Sequence, residues 1–253
     1  MNPMDYPVLL FLLSFVGLWL SAQTGAYLRR RRTRQLEIER HDLEVILGAT
    51  LTLLALIIGF SFSMATGRYD QRKNYEEAEA NAFGTEYVRA SLLPPSDAAR
   101  ARNLLKSYLD QRILFYTTRD AERLDRINAS TSQLQNELWS TVQGPCATQP
   151  TAVTALILSG MNDVLNSQGY TQAAWWNRIP MGAWVLMLMI GIFCNVLFGY
   201  NAHLETKRLL FFAMPLIVSV AFFLLADMDS PGGGVIRVHP HNLVSLSSSL
   251  GAQ

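Results

Sequence analysis

Leu53-Leu54-Ala55-Leu56-Ile57-Ile58-Gly59-Phe60-Ser61-Phe62-Ser63-Met64 is followed, four residues on, by Arg68-Tyr69-Asp70-Gln71-Arg72-Lys73, and then by Glu76, Glu77, Glu79 and Glu86. The first half has the composition of a membrane span, the second that of a solvated helix face. No proline separates them, and Gly59 and Gly67 are single glycines, which a helix carries at about 1 kcal/mol each. The pattern predicts one helix that leaves a bilayer and continues for several turns. Such a helix joins a membrane span to a folded extramembrane domain, as channels and receptors do more than enzymes.

Working outward, hydrophobic residues make up 50% of the 253 and charged residues only 16%. Crossing about 30 Å of hydrocarbon takes about 20 apolar residues. Four stretches qualify: Val8–Leu28, Val45–Ala65, Pro180–Tyr200 and Leu209–Met228. The first is the weakest, drifting through Ser21, Gln23 and Thr24. Its basic block follows the apolar run rather than preceding it, which marks a retained span and not a cleaved signal. The chain therefore divides into a first helix pair (1–66), an extramembrane helical domain (67–178), a second pair (179–229) and a polar tail (230–253). The expected fold class is all-α, a polytopic membrane protein with four transmembrane helices.

Orientation follows the basic residues beside the spans. Arg29, Arg30, Arg31, Arg32, Arg34 and Arg40 crowd the first connection, and Lys207 and Arg208 the third. Charge thus puts both short connections in the cytoplasm and the middle domain outside. Cys146 and Cys194 lie in different regions and are not expected to pair.

The middle domain reads as helices throughout. Ala101, Leu104, Leu105, Tyr108, Arg112 and Phe115 recur at three- and four-residue spacing from Ser96 to Thr117, with Ser96 or Asp97 as N-cap. A second helix is expected from Ala121 to Val142, with Leu124, Ile127, Leu134 and Leu138 buried and Gly144-Pro145 ending it. A third opens at Pro150 through Val153, Leu156, Ile157, Met161, Val164 and Leu165, stopping near Gly169. Trp175-Trp176 and Arg178 are then expected to anchor the third span at the headgroups, with Tyr200, Asn201 and His203 at its other edge. Asn195, inside that span, is expected to hydrogen-bond to another helix.

Two faces of the second span compete. Gly48, Thr52, Ala55, Gly59 and Ser63 form a small-residue face that favours close helix packing. Thr52, Leu56 and Phe60 form a neighbouring stripe that, facing the axis of an oligomer, makes a hydrophobic constriction. Spacing alone favours packing.

Gly59-Phe60, with Arg68-Tyr69 nine residues later at the exit of the second of four spans, resembles the bestrophin pattern of a Gly-Phe in the neck helix and an Arg-aromatic pair at the membrane edge. The whole chain is more closely similar to the bacterial family termed bestrophin-like. Gly59–Ala65, Arg68-Tyr69-Asp70, Glu79–Thr85, Leu92-Leu93-Pro94 and the ending from Asp227 through Val238 carry that likeness. It implies a homo-oligomeric anion channel, pentameric and conducting anions such as chloride, in the bacterial inner membrane. Thr52, Leu56 and Phe60 would line the neck, and of these only Phe60 is aromatic. Arg68, Tyr69, Glu76 and Glu79 would form the pore exit or couple it to the domain. The resemblance also puts the middle domain in the cytoplasm, against the arginine count, which is given the greater weight.

Enzymatic motifs are missing: no His-Glu-x-x-His, Gly-x-Ser-x-Gly, Walker loop or Gly-x-Gly-x-x-Gly after a strand. His239-Pro240-His241 is read as a loop and Asp227 and Asp229 as a helix terminus, so no metal or other cofactor is expected. Glu76, Glu77, Glu79 and Glu86 read as a solvated face. The arginine run abuts a membrane and suits anionic lipid, not nucleic acid. Two functions stay open: an oligomeric ion channel lined by the second span, or a non-conducting scaffold or sensor whose helical domain binds a partner.

Overall fold

The computed structural model describes residues 6–31, 37–202 and 210–251, with side chains 37–40 and 210 excepted. Arg32, Arg34, His203, Lys207, Arg208 and Leu209 lie outside them, as does the side chain of Arg40. The described residues form α1 (Pro7–Arg31), α2 (Glu37–Arg89), α3 (Pro95–Thr117), α4 (Ala121–Thr148), α5 (Ala152–Trp176), α6 (Met181–Asn201), α7 (Leu210–Asp229) and α8 (His241–Gly251). The fold is all-α, and four of its helical stretches are long and apolar enough to cross a membrane. At 1.5 Å per residue the 53 residues of α2 run about 80 Å without a break.

The chain forms two compact units. One contains α1, the first part of α2 up to Arg68, and Arg178–Arg237 with α6 and α7. Leu18 and Ala22 of α1, Met187 and Cys194 of α6, and Phe222, Leu225 and Ala226 of α7 are buried in it. Gly25 and Gly199 let α1 and α6 approach backbone to backbone. A Cβ on Gly25 would stand 2.8 Å from the Tyr200 nitrogen, and one on Gly199 2.7 Å from the Ala22 carbonyl carbon. Small residues at such crossings are the usual membrane solution, because dispersion between close backbones replaces the hydrophobic drive that lipid removes. Arg29 donates to the carbonyls of Tyr200 and Ala202, satisfying the open end of α6. The polar drift in α1 is absorbed locally, with Ser21 and Thr24 donating to the carbonyls of Gly17 and Leu20, each at 2.8 Å. Asn195 donates to the carbonyl of Gly191 in its own helix at 2.8 Å, not to a neighbouring helix as expected.

The other unit holds α2 from Tyr69, α3, α4, α5 and α8. Ala101, Leu105, Tyr108, Arg112 and Phe115 of α3, Ile127 and Leu138 of α4, and Ile157, Met161 and Val164 of α5 are buried as their spacing predicts. Val153 and Leu156 are instead exposed. Helix ends differ from the sequence reading in three places. The N-cap of α3 is Pro94, with Pro95 in the first turn, so Ser96 and Asp97 lie inside the helix. Helix α4 continues past Gly144-Pro145 to Thr148. Proline there removes one ladder bond, while buried Val142 and Cys146, a turn apart, hold the last turn to the core. Helix α5 passes Gly169 and ends at Trp176, burying Thr171 and Ala174 on the way. Trp175 is thereby drawn from its expected headgroup position into this unit, its ring 4.6 Å from Phe115 and 5.9 Å from Tyr116.

The stretch read as a polar tail ends in α8, which buries Leu243 and Leu250. Serines at Ser245, Ser247, Ser248 and Ser249 masked this helix in composition, although its leucines keep helical spacing.

Candidate functional site

Helix α2 carries the site residues in both units, and its two halves are built in opposite ways. In the first unit Leu54, Ser61 and Ala65 point inward, while Thr52, Leu56 and Phe60 are exposed, Phe60 at 63%. The small-residue face is exposed too, and a Cβ on Gly48 or Gly59 would meet nothing within 4 Å. No helix of the same chain covers these faces among the described residues. A wide apolar surface, Leu53, Leu56, Phe60, Phe62 and Met64, is left for lipid or for another copy.

At the end of that half, Arg68 pairs with Asp229 at 3.3 Å. Asp229 also accepts the backbone N–H of Ile179 at 3.0 Å, tying the end of α7 to the approach to α6. Asp227 accepts from Val235 at 2.6 Å and Ile236 at 2.8 Å. Both aspartates stand at the end of α7 as read, but they are buried and hold backbone N–H groups of the segments beside it. Gly234 is required here, since a Cβ would stand 2.6 Å from the Asp227 carbonyl oxygen.

In the second unit the solvated-face reading of α2 is overturned. Arg72, Glu76, Glu79 and Glu86 are all buried, and Glu77 alone of the four glutamates is exposed. The buried stripe runs Tyr69, Arg72, Glu76, Glu79, Phe83, Glu86 and Ala90, at three- and four-residue steps. Each charged member but one has a specific partner. Arg72 donates to the carbonyls of Ala174 (3.1 Å) and Asn177 (3.3 Å), closing the C-terminal end of α5. Glu76 accepts from the N–H groups of Asn242 (2.9 Å) and Leu243 (3.0 Å) and from the Asn242 side chain (2.7 Å). Its carboxylate thus caps α8 at the positive end of the helix dipole. Lys106 takes the other end, donating to the Leu250 carbonyl at 2.7 Å.

Removing this cap has a defined outcome. Glu76→Ala is expected to cost about 1–2 kcal/mol and to speed tryptic cleavage at Arg237 as α8 leaves its seat. A cleavage rate equal to wild type would show that the leucines of α8 hold it unaided.

Glu79 pairs with Arg112, both side chains fully buried. The hydroxyls of Tyr116 and Thr171 donate to Glu79 Oε2 at 3.3 and 3.2 Å. Arg112 lies 4.5 Å over the Phe115 ring. Its pKa is raised despite burial, because the Glu79 carboxylate beside it favours the cation. The Tyr116 hydroxyl is pushed up by burial and by the nearby Glu79 charge. Glu86 is the exception: neither carboxylate oxygen has a hydrogen-bond partner. Sequence reasoning missed Arg72 and Glu86 as inward-facing. The signal was present in their spacing with Tyr69, Phe83 and Ala90, and Arg112 already stood in the apolar stripe of α3.

Among the described residues no three His, Cys, Asp or Glu side chains gather as metal ligands. What the site offers is an unpartnered apolar helix face on a helix pinned further along by buried charge. The model of the bestrophin-like domain matches residues 8–243. The chain belongs to the bestrophin-like family. Among solved structures, a variant of a bacterial bestrophin homologue from Klebsiella pneumoniae superposes with a TM-score of 0.67 at 12% identity, covering 95% of this chain and 97% of that one. The same homologue, solved by zinc anomalous phasing, gives 0.62 at 12% identity, covering 96% and 95%. A further crystal structure, described as a membrane protein variant, gives 0.64 at 11% identity over 96% of both chains. The bestrophin fold thus extends over nearly the whole chain. A search of curated proteins finds no match.

Proposed function

We propose that this bestrophin-like protein is an oligomeric ion channel of the bacterial inner membrane, selective for anions such as chloride, with α2 of each copy lining the pore. The observation that carries this reading is the exposure of Thr52, Leu56 and Phe60 on an otherwise anchored helix. By family likeness the copies number five, and Leu56 and Phe60 form the hydrophobic constriction. Arg68 and Tyr69 mark the pore exit. Glu76 and Glu79 act there as coupling residues, since they hold α2 to α8 and α3.

Halide flux into liposomes carrying the purified protein tests this, with Phe60→Ala alongside. Flux is expected from a discrete oligomer, and the smaller side chain is expected to raise it several-fold or alter its ion preference. A folded oligomer that passes no halide, with or without Phe60, would sink the channel reading and leave a scaffold.

A further inference from the structure

Glu86 is fully buried on α2, with neither carboxylate oxygen hydrogen-bonded. It lies directly against the backbone of α5 at Gly160: a Cβ there would overlap Glu86 Oε2, at 3.2 Å from its carboxyl carbon and 2.6 Å from Nη1 of Arg89. Gly160 is thus the one residue type that admits this carboxyl group. Gly160 also lines a cavity of about 210 Å³ with Asn81, Ala82, Thr85, Arg89 and Asp163. Asn81, Thr85 and Asp163 are exposed, so water and protons reach within a residue of the carboxyl group. Two charged groups act on this site, and one thiol responds to it. Arg89 of α2 favours the anion but donates to the Leu156 carbonyl of α5 at 3.4 Å and forms no ion pair with Glu86. Asp163 of α5 opposes the anion. Cys146 of α4 is buried nearby, and its thiol is pushed up by burial and by Glu86.

We propose that Glu86 is a proton-operated latch between α2 and α5: protonated, it seats against Gly160, and ionised, it releases α5 at that point. This does not depend on conduction. Burial dominates the three influences and pushes the carboxyl group from 4.5 up to about 8, with Arg89 lowering and Asp163 raising it. A group whose folded pKa is raised binds a proton in the closed state and loses it on opening, so the closed state is favoured at low pH. Opening then becomes easier by up to tenfold per pH unit as pH rises from about 4.5 to about 8, and levels off above.

Hydrogen exchange of the full-length protein in detergent, read by mass spectrometry from pH 6 to 8.5, tests the latch. After correction for intrinsic rates, residues 154–164 of wild type are expected to lose at least tenfold in protection between pH 6 and 8, while residues 121–134 do not change. Glu86→Gln, which keeps the shape without the charge, is expected to stay protected throughout. Gly160→Ala, which displaces the carboxyl group, is expected to be open at every pH. Equal pH profiles for wild type and Glu86→Gln would overturn the proposal. If that variant fails to fold, a flat wild-type profile alone overturns it, and a tenfold loss confined to 154–164 supports it.

Discussion

Replacing Arg112 by methionine is expected to destabilise the protein by about 3–5 kcal/mol, the range for removing one partner of a buried ion pair. The reason is Glu79. Its carboxylate is fully buried, and without the guanidinium it keeps only the hydroxyls of Tyr116 and Thr171. Two neutral donors do not offset the loss of solvation around a charge. The thermal midpoint of the extramembrane unit should fall by roughly 6–20 °C at about 2–4 °C per kcal/mol. Trp175 packs against Phe115 and Tyr116 beside the pair, so its fluorescence reports the event. Adding Glu79→Leu to Arg112→Met is expected to recover most of the loss, since exchanging a whole buried pair for apolar groups is often neutral. A double variant no better than the single would mean that the pair is coupled to more of the core than its contacts indicate. An Arg112→Met midpoint equal to wild type would refute the argument outright.

The second large effect belongs to the membrane unit. Gly199→Ala places a methyl group 2.7 Å from the Ala22 carbonyl carbon, against backbone that has no rotamer to yield. Helices α1 and α6 must separate, with a cost of about 1–3 kcal/mol for overpacking. Gly25→Ala should behave alike from the opposite helix, as its Cβ meets the Tyr200 nitrogen at 2.8 Å. Gly17→Ala, where nothing lies within 4 Å, is the internal control and should equal or exceed wild type. The measurement is the fraction that stays monodisperse by size exclusion after a graded heat step. Gly199→Ala and Gly17→Ala surviving equally would show that the crossing is loose.

Where hydrophobic pattern governs, the sequence was a sufficient guide. The four spans, the buried stripe of α3 and the unbroken helix from Val45 past Arg68 all follow from spacing and length. It was insufficient where a polar residue turns inward. Glu76 and Glu79 look like solvated charges because their partners, Asn242 and Arg112, are far away in the chain. No local rule reveals a cap supplied from 166 residues off. Trp175 went the same way: its neighbours in sequence suggested a headgroup anchor, and its neighbours in space are Phe115 and Tyr116. Gly144-Pro145 and Gly169 are ordinary stop signals, outweighed by what the following turns bury.

The seat of α8 sets an order of biogenesis. Helices α3, α4 and α5 leave the ribosome well before it, but the N–H groups that Glu76 accepts belong to residues made after both α6 and α7. Likewise Gly25 of α1 waits for the backbone of Val196 and Tyr200, which is made only with α6. Neither unit can finish folding until the last span has been handed to the membrane. During that interval the nascent chain carries a buried-type carboxylate without its cap and a grooved helix without its mate, the kind of surface that insertion chaperones and quality-control proteases read.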